Sequence, residues 1–135
     1  MRPRGRAIAE QARALVGAPF RPQGRDPRVG LDCVGTAAAA AGIAVGRVRR
    51  DYGLHGGSLA DIEHGLCDLG CRPVPGGVAE PGDVIVCRPG ADQLHLAVAT
   101  EDGFVHADAG LRRVVERPGA VPWPVLGVWR LAGDE

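Results

Sequence analysis

Apolar residues recur three and four positions apart early in the chain and two apart later, and this change of period organises the predicted fold. Ile8, Ala12, Leu15 and Val16 fall on one helical face, which predicts a first helix over 8–16, ended by Gly17 and Pro19. Three prolines and two glycines between Pro19 and Gly30 then predict an ordered loop. A second helix starts at Asp32 and Cys33, runs through the alanines 37–41 and ends near Gly42. Its small side chains suit close packing on a sheet. A third is predicted over 58–69, with Ser58 as cap, Asp61 completing a short capping box, and Ile62, Leu66 and Leu69 on its apolar face.

Beyond Pro81 and Gly82 the period drops to two. The apolar run 84–87 reads as a strand. In 94–100, Leu94, Leu96 and Val98 alternate with His95, Ala97 and Ala99. A Glu-Asp-Gly turn introduces a further strand over 103–107, and 111–116 and 126–131 complete about five strands, mostly antiparallel because their connections are short. Helices first and strands afterwards define an α+β domain with the helices on one face of the sheet.

Composition narrows the partners. The chain has 135 residues, which reads as one domain over 1–135 with its own core and a frayed start over 1–6. Sixteen basic residues balance sixteen acidic ones, so net charge does not call for nucleic acid or a membrane surface. No apolar run of signal-peptide or membrane-spanning length is present, which predicts synthesis as a soluble cytoplasmic protein. In that setting Cys33, Cys67, Cys71 and Cys87 read as thiols. Cys67 and Cys71 lie near His64, but Gly70 separates them and no fourth ligand stands at a normal spacing, so no metal is expected and Cys67, Cys71 and Cys87 are assigned to packing. His55 and His64 receive no role.

The candidate chemistry centres on GLDCVG, residues 30–35. With Asp32 as N-cap, Cys33 occupies the first helical position, where the positive end of the helix dipole is expected to lower its pKa and expose the nucleophilic thiolate. His95 is the natural base: it shares a strand face with Ala97 and Ala99, where small side chains would admit a helix. His106, on the adjacent strand, would hold the second ring nitrogen of His95, completing a nucleophile, base and orienter.

These pieces resemble the NlpC-type cell-wall peptidases, which are papain-like cysteine hydrolases. The matching segments are ARALVGAPF, GLDCVG, PGDVIV, QLHLAVAT, GFVHADAG and WPVLGVWR, spread over 7–130; the last is similar to the closing strand of small stand-alone and phage-associated members. The resemblance implies a papain-like fold and cleavage of peptidoglycan stem peptides, commonly between D-glutamate and a diamino acid. It implies no cofactor, and an attack by Cys33 with His95 as base and acid and His106 as orienter. Two positions depart from the family pattern. Phe20 stands where a Tyr hydroxyl usually serves the oxyanion site, and Gln23 is a candidate replacement donor beside the Cys33 amide. Val34 replaces a Ser that, with Asp32, helps hold the stem-peptide amine. Tyr52 is a further candidate for the cleft. An amidase or acyltransferase with the same thioester chemistry, and a non-catalytic wall-peptide-binding or phage-tail-like module, remain the alternatives. A protein made in the cytoplasm would reach the wall after lysis or by delivery in a particle.

Overall fold

The computed structural model describes residues 3–43 and 58–131, and the structural statements that follow concern these residues. Three helices, α1 (Pro3–Ala14), α2 (Cys33–Ala41) and α3 (Leu59–Asp68), precede most of the strands. Helix α1 begins at Pro3, well ahead of the apolar pattern and within the segment 1–6. Proline suits the first turn of a helix. Gly5 is buried, and a Cβ on Gly82 would collide with its carbonyl, so this turn of α1 packs directly on the turn before the sheet.

The loop between α1 and α2 contains a two-stranded hairpin, β1 (Arg25–Asp26) and β2 (Gly30–Leu31), where the proline content predicted no element. Helix α2 has the expected bounds. Asp32 is extended and its carboxylate accepts from the Gly35 amide, and Gly42 closes the helix in the left-handed conformation at φ 71°. In α3, Ser58 adopts the extended backbone of a cap, but its side chain makes no capping hydrogen bond, so the expected capping box is not formed. That helix is held through Ile62 and Leu66, which are buried.

The main sheet is antiparallel with the order β3-β8-β4-β5-β6-β7. Its strands are β3 (Cys71–Pro73), β4 (Val84–Cys87), β5 (His95–Ala99), β6 (Gly103–Asp108), β7 (Arg113–Pro118) and β8 (Val125–Leu131). The sixth strand, β3, is too short and proline-marked to show a period; pairing Cys71 with Leu131 on β8 is what makes it a strand. Asp83 anchors the turn into β4. It is fully buried, accepts from the Glu80 amide at 2.8 Å, and is gripped at both oxygens by Arg130 of β8 at 2.9 and 2.8 Å. Two charge-assisted bonds in a fork hold planar groups in a fixed register.

The two faces of the sheet differ. Leu94, just before β5, and Leu96 and Val98 within it join Val84, Val86, Val105, Val114 and Trp129 in a core with Ile8, Ala12, Ala37, Ala40, Ile62 and Leu66 of the helices. Ala97 and Ala99 point the other way, into a smaller cluster with Ile85 and Phe104, against which Ala79, Val121 and Trp123 pack. The expectation that the alanine face of β5 admits a helix is therefore corrected. The helices lie on the leucine and valine face, and the alanines that permit close approach belong to α2 itself.

Candidate active site

Cys33 is the first residue of α2 and His95 the first of β5, and both line one pocket with Asp32, Phe20 and His106. Strand alternation sends Phe104 and His106 of β6 to the outer face of the sheet with His95, while Cys33 comes from the helix side. They meet where β5 begins: the Cys33 thiol lies against the backbone of Leu96 and Val34, next to the strand that carries His95.

The local fold holds Cys33 through Asp32. One carboxylate oxygen of Asp32 accepts from the Gly35 amide at 2.8 Å and from Arg25 Nη1 at 3.1 Å, and the other accepts from the Gln23 amide at 3.0 Å. The same guanidinium nitrogen also donates to the Gly24 carbonyl at 3.0 Å. Both side chains of this ion pair are almost fully buried, at 3% and 5% exposure. Gly24 packs so closely on Gly35 that a Cβ at Gly35 would strike its carbonyl, which gives the second glycine of GLDCVG its physical reason. The Pro- and Gly-rich loop is thus bolted to the start of α2 by a buried charge pair.

His95 Nε2 and His106 Nδ1 are 2.8 Å apart, with the rings at 5.0 Å and nearly perpendicular. Trp123 stands edge-on to both imidazoles, at 5.7 Å from His95 and 5.4 Å from His106. Burial pushes the His95 pKa down to about 4, and the neighbouring His106 adds to this, while the charges of Asp108 and Asp32 pull it back up. Burial also lowers His106; Asp108 opposes that effect and Arg117 reinforces it.

The expected low pKa of Cys33 is not found. Burial pushes the thiol up to about 12, the Asp32 charge pushes in the same direction, and hydrogen bonds from the Leu96 and Val34 backbone offset only part of this. Desolvation of a thiolate outweighs what the helix start supplies. The resting pair is a neutral thiol and a neutral imidazole.

Of the remaining predicted site residues, Phe20 lines the pocket and packs on the core, so its ring is a wall without a donor. Gln23 is not brought in. Its backbone has a left-handed φ of 58°, its amide serves Asp32, and its exposed side chain lines a neighbouring groove with Arg21, Pro27 and Val29. The side-chain amide that does line the Cys33 pocket is that of Gln93. Tyr52 and His55 lie outside the described residues. Cys71 and Cys87 are buried as packing residues, whereas Cys67 is exposed and has no packing role; it follows the polar face of α3, as His64 does.

Sequence reasoning missed Gln93, Asp108 and Trp123 as pocket residues, and Arg25 as the partner of Asp32. Gln93 and Asp108 stand two residues from His95 and His106, so strand alternation carried a signal for both. Trp123 lies in an irregular segment and Arg25 in a strand of two residues, where no period reports what they face.

No family model and no curated protein matches the chain by sequence. Solved structures match over nearly its full length. NlpC1 from Trichomonas vaginalis superposes with a TM-score of 0.65 at 20% identity, over 93% of this chain and 43% of that one. The peptidoglycan hydrolase RipB from Mycobacterium tuberculosis gives 0.61 at 21% identity, over 96% and 65%. The P60 domain of an antigen from M. avium subspecies paratuberculosis gives 0.59 at 19% identity, over 95% and 94%. The chain therefore has the NlpC/P60 papain-like fold. It spans less than two thirds of the length of the Trichomonas and M. tuberculosis proteins and nearly all of the isolated P60 domain.

Proposed function

We propose that this chain is a cysteine hydrolase that cleaves a peptide bond in peptidoglycan stem peptides, of the D-glutamyl–diamino acid type, through a thioester on Cys33. The observation that carries the reading is the shared pocket of Cys33 with the hydrogen-bonded pair His95 and His106. The peptidoglycan hydrolase named among the similar structures, and the motifs around the three residues, supply the substrate class.

Because the resting pair is neutral, proton transfer accompanies attack. His95 Nε2 is engaged by His106, which leaves Nδ1 to take the Cys33 proton as sulfur adds to the scissile carbonyl. The oxyanion draws on the Cys33 amide, one of the free donors of a helix N-terminus, and on Gln93 in place of the donor that Phe20 lacks. His95 then gives the proton to the leaving amine as the C–N bond breaks. Water, deprotonated by His95, hydrolyses the thioester, and the thiol is restored. Asp32 is already paired with Arg25 inside the protein, and Val34 offers no hydroxyl. Binding therefore does not depend on a free substrate amine, and stem peptides with acetylated and free N-termini are cleaved at similar rates.

The test is digestion of purified muropeptides, with products read by mass spectrometry, for the wild type and Cys33→Ala. Release of a new amine and carboxylate at one stem-peptide bond by the wild type alone is the expected result. Products from another amide bond would move the assignment to an amidase, and intact muropeptides with bound peptide would leave a binding module.

A further inference from the structure

The contact between two imidazoles is ambiguous until something decides which nitrogen carries the proton. If His106 Nδ1 donates to His95 Nε2, the lone pair of His95 is used up and its Nδ1–H faces the thiol as a second donor. If His95 Nε2 donates to His106 Nδ1, His95 keeps a free lone pair at Nδ1, and His106 must carry its own proton at Nε2. That nitrogen is buried, on a side chain only 4% exposed, and it makes no hydrogen bond among the described residues. The nearest carboxylate oxygen to it is Asp108 Oδ2, at 4.0 Å.

We propose that Asp108 is a positioning residue: its carboxylate accepts the His106 Nε2 proton, fixing the tautomer in which His95 is a base. This rests on the assignment of Cys33 and His95 above. Asp108 closes β6 two residues after His106, on the same side of the strand. Its Oδ1 is held by the Leu111 amide at 2.9 Å, so the carboxylate is oriented while Oδ2 faces His106. The proposal requires this 4.0 Å separation to shorten to hydrogen-bond length. Charged groups around the pair act in both directions: Asp108 favours imidazolium on either ring, Asp32 does so on His95, and Arg117 opposes it on His106 from above Phe104 and Trp123. When His95 takes the Cys33 proton, its Nε2–H remains directed at His106, whose far side meets the carboxylate. When the proton passes to the leaving amine the chain resets, and His106 and Asp108 undergo no net change.

Imidazole nitrogen NMR of the full chain, labelled with 15N-histidine, decides the point independently of catalysis. In the wild type, His106 is expected to be protonated at Nε2 and bare at Nδ1. Asp108→Ala is expected to yield a mixture of tautomers, and Asp108→Asn, whose amide oxygen still accepts, to keep the Nε2 form. A His106 tautomer unchanged in Asp108→Ala overturns the proposal. Alkylation of Cys33 by iodoacetamide across pH, resolved by peptide mass spectrometry, is the second readout. Its acid limb should move down by about one unit in Asp108→Ala, a tenfold change in proton affinity, and stay put if Asp108 only caps the turn. A wild-type profile that ignores His95→Ala would sink the Cys33–His95 assignment, while the tautomer would still decide the role of Asp108.

Discussion

The two faces of the central sheet are built from the same strands and serve opposite ends. On the helix face, Leu96, Val98, Val86 and Val105 pack with α1, α2 and α3 in one apolar core. On the outer face, Phe104 and Trp123 lie against two imidazoles, covered among the described residues by loop segments and open at the pocket. A face sealed by helices excludes water and supports stability. A face covered by loops can keep ionisable rings half-dry, which shifts their pKa while leaving them a path to substrate. Cys33 reaches the pocket from the helix side, because it begins α2 close to the start of β5.

Substitutions on each face should separate these roles. The largest effect is expected from His95→Ala, which should lower kcat/KM by about 10²–10⁴-fold, with muropeptide turnover as the measurement. Arg25→Ala comes next. It strands the buried Asp32 carboxylate beside Cys33 and should cost about 3–5 kcal/mol in denaturant unfolding. Leu96→Ala, on the sealed face, should cost about 2–5 kcal/mol and leave the pH profile of the surviving activity in place. Arg13→Ala, which breaks an exposed pair with Glu116, should change stability by less than about 1 kcal/mol.

The pH dependence sharpens the contrast. His95 must be neutral to act as base, and its pKa in the folded chain is lowered to about 4, so kcat/KM should hold as pH falls past 6.5 and drop only near 4. Stability follows a different course. Below the unfolded value near 6.5 the unfolded chain takes up a proton that the folded one refuses. The melting temperature should therefore fall between about pH 6.5 and 4, and this part of the fall should vanish in His95→Ala.

The α+β order, the bounds of α2 and the candidate residues Cys33, His95 and His106 were legible along the chain. Asp32, the alanine run and Gly42 are local signals for one helix, and alternation around residues 94–100 is a local signal for one strand. The hairpin β1–β2 and the short strand β3 were not legible, since two or three residues carry no period and owe their form to pairing. Nor was the fate of Gln23, whose left-handed backbone turns its amide to Asp32 and its side chain out of the pocket.

The local pattern by itself determined the helices and the longer strands β4 to β8, because capping, helix propensity and alternation act between near neighbours. Tertiary structure decided which face of β5 the helices cover, since both faces offered small or apolar residues and only packing against α1 and α2 distinguishes them. It also decided the charge state of the nucleophile. A helix start favours a thiolate, but burial and the Asp32 charge, set by groups brought together from across the chain, hold Cys33 as a thiol.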